Sequence, residues 1–492
     1  MVTLIRNRRF MLGGLLCTIV FAALLGRRLG WLSLAPRLDN PPARAVTAVA
    51  TDRERWMKII QDDRHIGFVH SQLQPTDAGF RLQEKLFMRL NTMGLIQDLQ
   101  LNYDARLDDT LALNAFNFDM HSGRFSVRVE GQMEGEWLIS RIASGGTAKT
   151  ARLQFDRPPF LPVGILVATA AAGLAPGQTH HFPIFDPATM GQGEVRVTVI
   201  EKAPVTIGPQ THEAHKLELV YKGLRQQAWI DNAGGVLKEE GLLGLQQIRS
   251  TRDEALKPLS ASSDLTRLAA VTPNRPLENP GQLAWLKLRI DGIAPERLPA
   301  SDPRQSRNGR ELLIRREVIP EDHTSLVPAA DFEHDLAAAP LVQADDPRIQ
   351  TLANELTAKA RSPRARVQAI MDWMAANIEK RPVLSLPDAV NTLTQRMGDC
   401  NEHAVLLAAL ARAAGIPTQI EAGLVYQQGR FYYHAWNRVH LGRWVTVDAL
   451  MGQMPADVTH IRLARGDLSE QMEILPMIGR LAITILEAER TS

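Results

Sequence analysis

The chain is poor in cysteine: 492 residues contain only Cys17 and Cys400. Cys17 lies inside an apolar N-terminal run, so Cys400 has no evident disulfide partner and reads as a free thiol. Long basic runs and basic stripes interleaved with aromatics are also missing. The 56 Lys and Arg nearly cancel the 54 Asp and Glu, and aromatic residues make up only 5%. That balance excludes the electrostatic footprint of a nucleic-acid binder. No internal repeat or low-complexity tract is evident. The length suggests roughly three domains at about 150 residues each, and 45% hydrophobic residues suffice for large cores.

One uncharged run stands out, Phe10 to Gly26. As a helix rising about 1.5 Å per residue it would span about 26 Å, close to one bilayer core. Arg6, Arg8 and Arg9 precede it, Arg27 and Arg28 follow, and Trp31 stands where an interfacial aromatic belongs. The expectation is an N-terminal transmembrane helix. It would make a single-pass anchor in the inner (cytoplasmic) membrane, with the bulk of the chain extracytoplasmic or periplasmic. Ala43-Arg44-Ala45 lies too far on for ordinary signal cleavage, and Leu16 before Cys17 is too bulky for lipidation. Arg8-Arg9 lacks the spacing of a twin-arginine signal.

The composition then divides the chain. Residues 1–34 are assigned to the anchor, and 35–52, rich in Pro and Ala, to a tether. Residues 53–251 carry short alternating runs such as "GRFSVRVEG" and "HKLELVYKG", which predict a β-rich accessory domain. Within it, Phe160–Gln178 is uncharged but broken by Pro and Gly, which predicts a buried helix too short for a membrane. Residues 252–281 read as a linker and 282–345 as a small intermediate module. From 346 to 492 apolar residues recur at helical spacing ahead of Cys400. The fold class expected is α+β.

The chemistry concentrates in "GDCNEHAVLLAALARAAGIP", residues 398–417. Asp399 can cap a helix beginning at Cys400, with Glu402 completing a capping box and Gly415 with Pro417 ending it. Amides at the first turn and the positive end of the helix dipole would favour thiolate at Cys400 and could hold an oxyanion. Glu402 would partly oppose the first effect.

A base is expected from "GRFYYHAWNRVHLGRWVTVDAL", residues 429–450, which reads as a hairpin. A loop His440-Leu441-Gly442 would put Gly442 at the left-handed position. It pairs Val439 with Arg443, Trp436 with Thr446, and His434 with Asp448. Residues directly opposed on one face have Cβ atoms about 4.5–5.5 Å apart, so Asp448 would orient the imidazole of His434. Cys400, brought to the other ring nitrogen, would complete a nucleophile, base and orienter set.

The Gly-Asp-Cys, His-Ala-Trp and Trp-Val-x-Val-Asp elements, in that order, resemble the transglutaminase-like family, whose core shares the papain-type arrangement. The resemblance covers about residues 346–475. It implies catalytic roles for Cys400, His434 and Asp448 in a membrane-anchored thiol enzyme, either an acyltransferase or a hydrolase or protease. The reaction would be amide or ester hydrolysis, or cross-linking, through a thioester. Asn437 stands where many relatives carry an acid, and Asp448-Ala449-Leu450 where many have Asp-Pro-Thr.

Trp436, on the face of His434, is a candidate wall of the acyl cleft. Cys400 with His403 makes half of a zinc site with His434 or His440, but no second Cys or close His pair completes it, so no metal or cofactor is expected. His180, His181 and His440 read as ordinary. The partner expected is a protein or peptide substrate, with a cell-envelope component as candidate. The alternative reading is a catalytically inactive membrane-anchored scaffold that keeps the fold.

Overall fold

The computed structural model describes residues 53–321, 329–466 and 468–490. Its largest element is one fourteen-stranded sheet. The first strand, Arg53–Gln61, lies in the middle of it. Successive antiparallel hairpins run outward from there to one edge at Thr147–Gln154. The chain then crosses through the helix Ile165–Ala172 to the opposite edge, Thr179–Asp186. It returns strand by strand until Gln246–Ser250 pairs with the first strand, Trp56 opposite Ser250. The helix is apolar on all sides and therefore buried. Its Ile165, Leu166 and Ala168 share one core with Met57, Phe118, Val129, Val197 and Ile230 from strands across the sheet.

Residues 252–281 are fastened along their length. Ser262 Oγ accepts from the Asn91 amide at 2.8 Å, and Asp264 Oδ1 from the Met93 amide at 3.1 Å. Val271 and Phe431 exchange two backbone hydrogen bonds of 2.8 Å. A four-stranded sheet follows, with Leu283–Asp291 paired to Glu311–Arg315 on one side and to the C-terminal strand Ala482–Arg490 on the other. Leu286, Leu288 and Ile314 of this sheet share a core with Leu424, Phe431 and Ile461 of the next.

That next sheet has the order Trp444–Val447, Arg430–His440, Thr418–Gln427, Ile461–Arg465, all antiparallel. The helix Cys400–Ala413 packs on it, and every residue from Glu402 to Ala411 is buried. Ala435 and Val439 meet this helix from the strand, while Pro347–Thr357, Pro363–Asn377 and Ala389–Gln395 enclose its other sides.

The large sheet docks against the same region. Lys149 Nζ lies 2.7 Å from Asp345 Oδ2, and Leu386 enters the core of the large sheet. Gly145, at φ +56°, approaches so closely that a Cβ there would lie 2.8 Å from Asn391 Cα.

Two expectations are corrected. The expected α+β class gives way to a strand-rich fold among the described residues, because the first two hundred of them spend their apolar positions on one continuous sheet. No helix among the described residues is long and apolar enough to cross a membrane. The longest, Pro363–Asn377, has 15 residues and the most apolar, Ile165–Ala172, has 8, against the ~20 a bilayer requires. The expected anchor, Phe10–Gly26, lies outside the described residues, and the single-pass inner-membrane placement is withdrawn.

Candidate active site

Cys400 opens its helix as expected. Asp399 Oδ1 accepts from the Asn401 amide at 2.9 Å, and Glu402 Oε2 accepts from the Asp399 amide at 3.0 Å, a capping box. Glu402 folds back over Gly398 so tightly that a Cβ on Gly398 would fall 2.2 Å from Glu402 Cβ. Hence the glycine ahead of Asp399. Glu402 is buried, its Oε1 takes the Ser385 hydroxyl at 2.5 Å, and burial together with Asp399 holds its carboxyl well above the usual range.

The thiol itself departs from expectation. Cys400 keeps some exposure as a residue, but its sulfur is enclosed. Burial pushes the thiol well up, and Asp399, Glu402 and Asp448 push the same way. The Ala435 amide, hydrogen-bonded to the sulfur, works against them. Desolvation outweighs the helix terminus, so the resting site holds a thiol. The contact also fixes geometry: it seats the sulfur at the residue next to His434.

His434 and Asp448 do meet, with Nε2 2.6 Å from Oδ2. They are not directly opposed. The observed ladder pairs His440 with Trp444 and Val439 with Val445, so the three-residue loop is Leu441-Gly442-Arg443, with Gly442 at φ +92°. The expected register is therefore displaced by two residues. A one-residue slip would have turned every side chain over, whereas a two-residue slip keeps each on its face. Regular pairing ends at Asn437–Val447, and Asp448 turns away to exchange two backbone bonds of 2.9 Å with Gln453. From there its carboxylate reaches His434 diagonally.

A residue that sequence reasoning missed completes the cluster. His460 Nε2 lies 3.0 Å from the same Oδ2 of Asp448, and its Nδ1 lies 3.4 Å from Asp457 Oδ1. The Met451 amide occupies Asp448 Oδ1 at 2.8 Å. Burial alone would raise the pKa of Asp448, but hydrogen bonds from His434 and His460 outweigh it and hold the carboxyl far below the usual range. Burial likewise opposes charge on His460, yet its bonds to Asp448 and Asp457 raise its pKa. Arg304 locks the backbone beneath, donating to the carbonyls of His460 at 2.7 Å and Asp457 at 2.5 Å. Only an Asp-x-x-His spacing, Asp457 to His460, could have hinted at the pair.

His434, Asp448 and His460 bring three ligand-type atoms within 4.8 Å of one another, and two imidazoles with a carboxylate are a reasonable zinc set. Both Nε2 atoms, however, sit at hydrogen-bond distance from one oxygen, and the raised pKa of His460 favours the protonated form that cannot ligate. The cluster fits a proton network better than a metal.

Other candidates fall elsewhere. Trp436 is 1% exposed, stacked beside His434, with Nε1 donating to Glu421 Oε2 at 2.9 Å. It backs the imidazole. Asn437 Nδ2 donates to the Ala404 carbonyl at 2.9 Å, tying the His434 strand to the Cys400 helix. His403 Nδ1 bonds the Asp399 carbonyl at 2.7 Å, and His440 packs between Phe332 and Trp444. Neither joins the cluster.

Comparison with known proteins agrees with this local architecture. Residues 350–449 match the Transglutaminase-like superfamily. That stretch, which holds Cys400, His434 and Asp448, is similar to this superfamily. Two solved structures align with 20% identity. One is a protein from Cytophaga hutchinsonii provisionally described as a cysteine protease, covering 42% of this chain and 86% of that one with a TM-score of 0.29. The other is the periplasmic domain of TgpA from Pseudomonas aeruginosa bound to ethylmercury, covering 38% and 93% with a TM-score of 0.25. No curated protein matches.

Proposed function

We propose that the protein is a thiol acyl-transfer enzyme in which Cys400 is the nucleophile, His434 the base and Asp448 the orienter. The observation that carries this reading is the 2.6 Å contact from His434 Nε2 to Asp448, with the Cys400 sulfur held at the adjoining Ala435 amide. With Nε2 committed to Asp448, Nδ1 is the nitrogen left to serve the sulfur.

In the reaction Nδ1 takes the thiol proton as sulfur bonds to the carbonyl carbon of an amide or ester. The carbonyl oxygen becomes an oxyanion beside the first-turn amides of the Cys400 helix. Collapse breaks the bond to the leaving amine or alcohol, which takes the proton from Nδ1. Water, or a second amine, then attacks the thioester. Its proton passes to Nδ1 and returns to sulfur as the acyl group departs. Water gives hydrolysis and an amine gives cross-linking. His460 acts through Asp448, as a positioning residue.

The burial of Cys400 favours one rival, an inactive scaffold. Burst kinetics with p-nitrophenyl acetate separate the two. The enzyme reading expects a stoichiometric burst and an acetyl thioester on Cys400, both lost in Cys400→Ala and His434→Ala. A wild-type protein without burst or adduct would overturn it.

A further inference from the structure

We infer that the acyl group taken by Cys400 is aliphatic, and that the large sheet builds the pocket that receives it. This rests on the proposed role of Cys400. A cavity of about 420 Å³ lies between the two halves of the molecule. That is the size of a small-molecule site. Both edges of the fourteen-stranded sheet contribute to it: Leu153 from the strand Thr147–Gln154, and Met190 from the turn between Thr179–Asp186 and its neighbour. Leu341 and Val405 face them from the thiol side. Two further lining residues fix where the cavity ends. Ala404 is one helical turn beyond Cys400, and Ala435 is the residue whose amide holds the sulfur. The cavity thus ends beside the nucleophile, at Asn401 and Ala435, on the side of the accessory sheet.

The lining selects the occupant. It contains no acidic side chain and no aromatic ring; Thr189, Gln192, Asn401 and Gln471 are its neutral polar residues, its one basic residue, Arg152, has its guanidinium over the Trp137 ring at 5.1 Å, and the rest of the wall is aliphatic. A cationic side chain would find no carboxylate there, and a flat ring would find no stacking platform. Aliphatic walls favour a flexible hydrocarbon. Each methylene that enters should raise kcat/KM about fourfold until the cavity is full. The docking of the sheet through Lys149–Asp345 and Gly145–Asn391 holds both walls in register. On this inference the accessory region is half of the substrate site.

The test is a series of p-nitrophenyl esters from acetyl to dodecanoyl, run on the full chain. The expected result is a Cys400-dependent kcat/KM that climbs with chain length. In Leu153→Trp the decanoyl-to-acetyl ratio should fall at least tenfold. Ala151→Phe, on the same wall, serves if that variant does not fold. A Cys400-dependent burst with a flat or falling length profile, or a ratio unmoved in both variants, overturns the pocket and leaves the acyl-transfer reading intact. If no ester acylates Cys400, that reading fails. Calorimetric binding of 1-decanol, weakened at least tenfold by Leu153→Trp, then decides the pocket alone, and no binding overturns it.

Discussion

His460 donates from Nε2 to Asp448 Oδ2 at 3.0 Å, although no strand pairing sets the two side by side. The same oxygen serves His434 at 2.6 Å, so one carboxylate anchors two imidazoles. Both histidines and the aspartate are buried, which makes the cluster costly to break and sensitive to protonation.

The pH dependence of stability follows from opposite shifts. His460 has a raised pKa, so its contribution is complete below the ordinary histidine value of about 6.5 and is lost as pH climbs through the higher folded value. Asp448 has a depressed pKa. Its contribution is present above the ordinary value of about 3.9 and is lost as pH falls through the lower folded one. Urea unfolding from pH 4 to 9 should show the alkaline decline in the wild type and not in His460→Gln. That variant should also lose about 1–3 kcal/mol at pH 6.

Asp448→Asn removes the charge shared by both rings while keeping the side-chain size. Turnover of p-nitrophenyl acetate should fall about 10²- to 10⁴-fold, the range of positioned acid–base catalysis. Loss of kcat with KM nearly unchanged distinguishes this from a damaged binding site.

The pH profile of Cys400 alkylation should reflect enclosure. Burial, followed by Asp399, pushes the thiol up, so iodoacetamide labelling of the free protein should rise only above the ordinary thiol range. Asp399→Asn retains a good N-cap and removes a negative charge. Its labelling profile should move to lower pH. An unchanged profile would dismiss Asp399 as a contributor.

Gly398→Ala places a methyl group where Glu402 Cβ already lies, 2.2 Å away. The start of the helix must shift. A loss of about 1–3 kcal/mol in chemical denaturation is expected, with a matching fall in the acetate burst rate.

Local signals were legible wherever the periodicity of one element was enough. The capping box of Asp399 and Glu402, the end of the helix near Gly415 and the three-residue loop through Gly442 all follow from short-range chemistry. The loop boundaries were read one residue early, which displaced the ladder by two. His434 and Asp448 nonetheless meet, because a side-chain period of two makes such a displacement invisible to the face pattern.

The sequence by itself therefore determined which face His434 occupies, that Cys400 begins a capped helix, and that residues 53–251 are rich in strand. Each is a property of residues a few positions apart. Only the tertiary structure decided that His460 and Asp457 join the site, that the enclosed sulfur is a thiol held by Ala435, and that both edges of the large sheet close on the Cys400 helix. These depend on which distant surfaces exclude water from one another, and burial of that kind sets both the partners of a buried group and its charge.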